Sequence, residues 1–138
     1  MYEYKCIVKR IVDGDTIVVD IDLGFGVWMK DQHMRLNGVD TPEKRTSDLV
    51  EKAFGLYATA YVEAIMVVGS EYTIITSKNT TGKYGRILAD FKLDDGSFLC
   101  ENILRDGVGV EWDDKKIMVL GHLLNRKRLI REGLVNIY

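Results

Sequence analysis

The chain has 138 residues, of which 46% are hydrophobic and 29% charged, and its formal net charge is −2. This length suits one compact domain with a modest core, so we treat residues 1–138 as a single domain. No apolar run is long enough to cross a membrane, and the slightly acidic balance excludes a general electrostatic attraction to nucleic acid. A polyanionic partner would have to be bound by local cations or by a metal ion.

The first forty residues are predicted to form β-strands. In the run from Ile17 to Leu23 apolar residues alternate, which places every second side chain on one face of a strand. The pair Asp13 and Gly14 is a strong turn signal before this run. The glycines of LGFG indicate a second turn, and WMKDQHMRLNGV is a third strand candidate.

The pattern changes to helical spacing between Asp48 and Val68, with Asp48 and Glu51 placed as an N-terminal cap. Two further strands, YTIITS and RILADFKL, are separated by the predicted loop KNTTGKYG. A short helix in SFLCENILRDG is predicted to end at Gly107, and a basic helix is predicted over about Lys115–Arg131. The side chains expected on the inner face of that last helix are Ile117, Leu120, Leu124 and Ile130.

Strands that come first, with helices between and after them, favour an α+β fold, for which a small barrel is a good candidate. The two cysteines, Cys6 and Cys100, lie far apart and form no ligand pair. We expect both to be buried free thiols.

Three short segments carry polar residues whose chemistry fits together. VDGDT, RLNGVDTPE and GKYGR supply, in chain order, Asp15, Arg35, Asp40, Thr41, Glu43, Lys83, Tyr84 and Arg86. Two carboxylates from separate strands, together with a backbone carbonyl and water, suit a hard cation such as Ca²⁺. Pro42 fixes its own φ and favours an extended conformation at Thr41, so the Thr41 carbonyl would keep its direction.

The remaining residue types suit the hydrolysis of a phosphodiester. Two arginines can fork onto phosphate oxygens, and a third carboxylate near the metal could take a proton from water. Together these are the parts of a metal-assisted phosphodiester hydrolase. Each segment alone is a weak signal, because DGD is usually a turn and KYGR is usually a polar loop.

In this order and at these approximate spacings, the three segments resemble the staphylococcal nuclease (thermonuclease) family. The similarity runs over almost the whole chain and includes the helix after DTPE, the segment DDGSFLCENILRDG and the closing LVNIY. The resemblance implies an α+β fold in which a five-stranded OB-fold barrel carries three helices. It also implies cleavage of DNA and RNA with Ca²⁺.

The resemblance further implies a role for each matching residue. The implied Ca²⁺ ligands, two through carboxylates and one through its carbonyl, are Asp15, Asp40 and Thr41. Glu43 would be the general base or would orient the attacking water. The side chains implied to bind the phosphate and stabilise the transition state are Arg35 and Arg86, while Lys83 and Tyr84 would contact the neighbouring phosphate. Attack would break the P–O5′ bond and leave 3′-phosphates.

The sequence departs from the family pattern in the hairpin between Asp15 and Arg35, which is longer here and is expected to extend further outward. For Phe25 and Trp28 near its tip, we favour packing against the core or as a lid over stacking on bases. Trp112 is a candidate to fill the space of the nucleotide-flanking tyrosines of secreted members.

Both histidines, His33 and His122, lack a partner pattern in the sequence, and we expect them at the surface. The basic run Arg126, Lys127, Arg128 and Arg131 is expected to form the solvated face of the last helix.

We therefore predict a calcium-dependent nuclease that acts on single-stranded or unwound DNA, with RNA as a further substrate. Mn²⁺ or Mg²⁺ stays open as the metal, because an all-oxygen site does not separate these ions. The alternatives are a catalytically silent nuclease-like module that binds nucleic acid or a partner, and a binder of a small phosphorylated ligand. Glu43 disfavours a protein that only binds a phosphorylated ligand, because its carboxylate would repel the phosphate.

We expect a monomer without a membrane partner. The N-terminus lacks a basic start followed by an apolar stretch, so we expect an intracellular protein unless the chain is the mature form of a secreted one.

Overall fold

The computed structural model describes residues 2–81 and 86–137, and for residues 77–81 it describes the backbone alone. The elements in these ranges are, in chain order, β1 (Tyr2–Asp13), β2 (Thr16–Gly24), β3 (Val27–Leu36), β4 (Val39–Asp40), α1 (Leu49–Ile65), β5 (Glu71–Thr81), β6 (Ile87–Lys92), α2 (Leu99–Arg105), β7 (Val110–Glu111) and α3 (Lys115–Arg131). Among the described helices, none has both the length and the apolar character needed to cross a membrane.

Five of the strands close into a barrel in the order β1-β2-β3-β6-β5. Neighbours run antiparallel except for β3 and β6, which are parallel and pair Met34 with Ile87 and Leu36 with Ala89. β5 pairs with β1 and so completes the circle. A closed five-stranded barrel with three helices confirms the predicted α+β OB-fold. The remaining strands, β4 and β7, form a separate two-stranded sheet beside it.

The core fills the barrel and continues under two helices. The first three positions predicted to point inward on β2 belong to the core: Ile17, Val19 and Ile21. Leu23, the fourth, is 41% exposed because the hairpin continues beyond the barrel. Val18 on the opposite face is buried as well but lies outside the core cluster. The α1 side chains that pack on this core are Ala58 and Val62, and Met66 joins them from the residue after the helix. The side chains from α2 are Leu99 and Ile103.

Both cysteines are free and buried, as predicted. Burial raises the pKa of the Cys6 thiol to about 12, so this group stays protonated at neutral pH. Burial also raises the pKa of the Cys100 thiol, so neither thiol has the thiolate character that a nucleophile needs.

Helix α1 begins at the predicted cap. The Asp48 carboxylate accepts hydrogen bonds from the backbone N–H groups of Val50, at 3.0 Å, and Glu51, at 3.2 Å. These bonds satisfy two of the amides that a helix leaves unpaired at its start. The helix ends at Ile65, three residues before the predicted end, because the backbone at Met66 is already extended.

In the β2–β3 hairpin the packing predicted for Phe25 is wrong. Phe25 lies in the left-handed region with φ 56 and is fully exposed, so it packs neither against the core nor as a lid. Trp28 is 37% exposed and contacts a neighbouring cation, since the Lys30 ammonium lies 5.4 Å from its ring centroid. The tip thus projects into solvent at the end of the hairpin away from the β1–β2 turn.

Asp20 holds an irregular register within this hairpin. Val19 pairs with Gln32 and Ile21 with Met29, so Asp20 stands opposite two residues of β3. One of these, Asp31, has φ 53, and its N–H donates to the buried Asp20 carboxylate at 2.9 Å. The carboxylate therefore supplies the partner that the bulged backbone lacks in the ladder.

Helix α3 is confirmed over the predicted range, but its predicted inner face is wrong. Ile117, Leu120 and Leu124 are each more than half exposed, and Ile130 is 38% exposed. The buried side chain of this helix is Leu129. It joins a small second cluster whose other buried members are Phe54 of α1 and Val135 of the C-terminal segment.

The Asp20→Asn variant tests the stabilisation of the bulge. The pKa of Asp20 lies below its usual value of 3.8, first because of the Asp31 N–H and then because of Lys30 and Lys9. A lowered folded-state pKa means that this stabilisation is present above about pH 4 and is lost as pH falls through the folded pKa. We expect the variant to lower the free energy of unfolding by about 1–3 kcal/mol at pH 7.

Urea unfolding from pH 7 to pH 2 measures this effect. The difference between wild type and Asp20→Asn should shrink below about pH 4. The matched control is Asp94→Asn at an exposed carboxylate, which should change stability by less than about 0.5 kcal/mol. A difference for Asp20→Asn that stays constant down to pH 2 would contradict the role of the ionised carboxylate.

Candidate active site

A cleft of about 600 Å³ lies where the β1–β2 turn, the end of β3 and the segment after β4 meet. Its charged lining residues are Asp13, Asp15, Arg35, Asp40, Glu43 and Arg86. Thr41 and Trp112 line it as well. Six of the eight predicted site residues are thereby brought to one place from three separate segments. The other two, Lys83 and Tyr84, lie outside the described residues.

The register of the barrel strands places Asp15 and Arg35 next to each other. Thr16 pairs with Arg35 between β2 and β3, and the N–H of Leu36 donates to the carbonyl of Asp15 at 2.9 Å. The turn that carries Asp15 is therefore fixed to the end of the strand that carries Arg35. Asp40 reaches the same cleft from the small sheet, where it pairs with Val110 of β7.

The Arg35 guanidinium lies between two carboxylates. Its Nη1 is 3.0 Å from Asp15 Oδ2 and its Nη2 is 3.3 Å from Asp40 Oδ1. Nη1 also donates to the carbonyl of Val39 at 2.9 Å, and the guanidinium lies 5.6 Å from the centre of the Trp112 ring. With 11% of the side chain exposed, this is a nearly buried ion pair whose donors are fixed in direction.

Asp15 is also held by the segment that follows β4. Its Oδ2 accepts the backbone N–H of Thr41 at 3.1 Å, and its Oδ1 accepts the Thr16 hydroxyl at 3.2 Å. Thr41 itself is buried. The first predicted carboxylate ligand and the predicted carbonyl ligand are thus joined through the Thr41 amide.

Asp40 has a second partner that the sequence did not indicate. His122 of α3 places Nε2 2.9 Å from Asp40 Oδ2, and the histidine side chain is 18% exposed. The expectation of a surface histidine without a partner is therefore wrong for His122, whereas His33 is exposed as expected. Because an ionised carboxylate only accepts, Nε2 must carry the hydrogen.

Glu43 projects from an exposed segment whose backbone is fixed by two helices. Its N–H donates to the Glu51 carboxylate of α1 at 3.0 Å. The same carboxylate forms an ion pair with Arg126 of α3, so Arg126 is not simply part of a solvated face. One turn after Glu51 on the same helix, Gly55 lies directly against the backbone of Glu43 and Lys44. The carboxyl group of Glu43 remains exposed at the cleft.

The cleft carries more negative than positive charge. Among its described lining residues, four carboxylates face the guanidinium groups of Arg35 and Arg86. Burial, and then the charge of Asp15, raise the pKa of the Asp13 carboxyl above its usual value. Asp13 Oδ1 is also buried without a hydrogen-bond partner among the described residues. Asp13 is therefore protonated more easily than an ordinary aspartate, although the charges of Lys44 and Arg45 act in the opposite direction.

A hard cation fits this donor set. Across residues 2–81 and 86–137, no three histidine, cysteine, aspartate or glutamate side chains are grouped closely enough to hold a metal ion by themselves. A cation would therefore take the carboxylates of Asp15 and Asp40 together with carbonyl oxygen and water, which is an ordinary ligand set for Ca²⁺. Each carboxylate keeps free lone pairs, because two oxygens offer about four acceptor sites.

Comparison with known proteins identifies the family of this chain. The profile described as "Staphylococcal nuclease homologue" matches residues 33–120. The chain belongs to this family. The matched range includes Arg35, Asp40, Thr41, Glu43 and Arg86, whereas Asp15 lies before it.

Curated relatives agree with the family match. The chain is similar to the thermonuclease of Staphylococcus intermedius, with 35% identity over 95 residues, which are 67% of this chain and 51% of that protein. It is also similar to the thermonuclease of Staphylococcus hyicus, with 34% identity over 86 residues, which are 62% of this chain and 46% of that protein. The match to Endonuclease YhcR of Bacillus subtilis (strain 168) is 28% identical over 110 residues, or 76% of this chain and 9% of that protein. The chain thus spans about half the length of the two thermonucleases.

Two of the residues that fix the site were not found from the sequence. His122 is 82 positions from Asp40, and the sequence pattern identifies Glu51 only as part of a helix cap. A glutamate three residues after a capping aspartate ordinarily turns back to the cap, whereas here it turns to the Glu43 amide. The role of Glu51 depends on its ion pair with Arg126 of the basic helix α3. Sequence spacing does not show that these two residues meet.

The Gly55→Ala variant tests how the Glu43 segment is positioned. A methyl group at residue 55 would overlap the Glu43 carbonyl and the Lys44 amide, so the segment must move away from α1. We expect a loss of about 1–3 kcal/mol in the free energy of unfolding, as for other overpacked sites, measured by urea denaturation.

The adjacent Leu56→Ala variant serves as the control, because Leu56 is 51% exposed on the same helix. It should change stability by less than about 0.5 kcal/mol. Equal stability of Gly55→Ala and wild type would show that the contact between α1 and the segment can relax freely.

Proposed function

We propose that this domain is a metal-dependent nuclease that uses Ca²⁺ to hydrolyse phosphodiester bonds in single-stranded or unwound DNA, and in RNA. The observation that carries the proposal is the Arg35 guanidinium between Asp15 and Asp40, with Glu43 and Arg86 lining the same cleft. This combination supplies oxygen ligands, phosphate-binding cations and a proton acceptor within one open site. The named activities of the thermonuclease and endonuclease relatives support the same reaction class.

The acidic residues divide into two roles. Asp15 and Asp40, with the Thr41 carbonyl, would hold the cation, which when bound supplies positive charge next to a phosphate oxygen. Glu43 is exposed, and within the described part of the chain its hydrogen bond to Glu51 is made by its backbone N–H. Its carboxylate can therefore reach a water molecule. As general base it would accept a proton while the water oxygen forms its bond to phosphorus.

The arginines act on the phosphate. Arg35 and Arg86 would donate to its non-bridging oxygens, whose charge increases as the water attacks. Breaking the P–O5′ bond leaves a 3′-phosphate on one fragment, and the departing 5′ oxygen takes up a proton to become a hydroxyl. Lys83 and Tyr84 are proposed to contact the neighbouring phosphate, by resemblance alone.

An exposed nucleic acid strand suits a cleft of this kind. In a single strand the backbone can enter an open site without its bases being paired, as at other OB-fold surfaces. Trp112 lines the cleft and is 56% exposed, so its ring offers a surface for a base. Phe25 and Trp28 take no part in this proposal, because the hairpin tip extends away from the turn that carries Asp15.

The Glu43→Gln variant tests the catalytic assignment. It keeps the shape of the side chain but removes its basicity, so we expect kcat to fall by about 10³-fold. Cleavage of a fluorescently labelled single-stranded DNA with millimolar Ca²⁺ measures this, and a chelator should abolish the wild-type reaction. A mobility shift of the products after phosphatase treatment would identify 3′-phosphate ends.

The matched control for this experiment is Glu63→Gln, which makes the same chemical change at an exposed site on α1. It should cleave at the wild-type rate. Circular dichroism should show that each variant is folded. If the folded wild-type protein cleaves neither DNA nor RNA with Ca²⁺, Mn²⁺ or Mg²⁺, the nuclease proposal is wrong and the domain is a silent binding module.

A further inference from the structure

The two oxygens of Asp40 are occupied by groups from different parts of the fold. Arg35 of the barrel lies 3.3 Å from Oδ1, and His122 of α3 lies 2.9 Å from Oδ2. The carboxylate is therefore fixed in rotation about its bond to Cβ. Each of its oxygens still has a second lone pair that can face the cleft.

The position of His122 follows from close packing between α3 and the small sheet. Val110 pairs with Asp40 in that sheet. Gly121, the residue before His122, lies so close to Val110 that a Cβ at position 121 would come within 2.9 Å of Val110 Cγ1. One turn later, Asn125 donates its side-chain N–H to the carbonyl of Gly109 at 3.1 Å. These contacts bring one face of α3 against β7 and direct the histidine to Asp40.

Ordinary hydrophobic packing does not account for this arrangement. In the described part of α3 the one buried side chain is Leu129, which lies two turns beyond His122. The first half of the helix meets the small sheet where Gly121 lies against Val110. The bond made by His122 there ends on a carboxylate that lines the cleft.

We infer that His122 is a positioning residue, which holds Asp40 in the orientation that binds the cation. This inference rests on the proposed function. Hydrogen-bond partners of a ligating carboxylate orient it before the ion arrives, and their loss typically lowers metal affinity by about 10–100-fold. Helix α3 is coupled to the metal site by the same bond, because the imidazole links the helix directly to the ligand.

Calcium binding measured without substrate tests the role of His122. Isothermal titration calorimetry with CaCl₂ should show about 10–100-fold weaker binding for His122→Ala than for wild type. The His122→Gln variant should recover much of the loss, because its Nε2–H can donate where the imidazole Nε2–H does. The chain's other histidine gives a matched control: His33→Ala removes an exposed imidazole from β3 and should bind Ca²⁺ as wild type does.

Several outcomes would overturn the inference. Wild-type affinity in His122→Ala, or tighter binding, would show that the histidine does not prepare Asp40 for the ion. Equal weakness of the Gln and Ala variants would show that the hydrogen bond is not the cause. Thermal unfolding of each variant excludes a general loss of structure as the origin of weaker binding.

The calcium titration and the cleavage assay together distinguish failure of this inference from failure of the proposed function. A wild-type protein that binds Ca²⁺ and cleaves DNA, with His122→Ala unchanged, contradicts the role of His122 and leaves the nuclease proposal standing. A folded wild-type protein that neither binds Ca²⁺ nor cleaves nucleic acid contradicts the proposed function, and the metal-positioning role fails with it.

Discussion

The structure of the cleft depends on the guanidinium of Arg35. The carboxylates of Asp15 and Asp40 lie 3.0 Å and 3.3 Å from its two terminal nitrogens, so its positive charge offsets the repulsion between their two negative charges. Arg35 also donates to the carbonyl of Val39. One side chain therefore joins the β1–β2 turn, the end of β3 and the start of β4. Removing one partner of such a pair leaves an uncompensated buried charge, which is strongly destabilising.

The barrel supplies this ion pair, but elements outside the barrel complete the site. The small sheet of β4 and β7 presents Asp40, and α1 fixes the Glu43 segment through Glu51. Helix α3 contacts both, through His122 on Asp40 and Arg126 on Glu51. Since α3 buries little apolar surface of its own, its position and the geometry of the site are established by the same polar contacts.

The parts of this structure that could be predicted are those encoded in local patterns. The alternation of apolar residues predicts the inward face of β2, and the capping residue Asp48 predicts the start of α1. The buried face of α3 could not be predicted, because apolar and basic residues occur all around the helix and Leu129 does not stand out among them. The contact between His122 and Asp40 joins residues far apart in the chain. It depends on how closely Gly121 approaches Val110, which no spacing rule contains.

Charge balance links the cation and the phosphate. The net charge of −2 gives the chain no long-range attraction for a polyanion, and the carboxylates of the cleft repel a phosphate. Arg35 can turn its donors to a phosphate only if something else compensates Asp15 and Asp40. Under the proposed function, a divalent cation held by these carboxylates would do so and would leave the guanidinium available for a phosphate. Each of the two ligands would then make the binding of the other more favourable, and the coupling free energy would be equal in both directions.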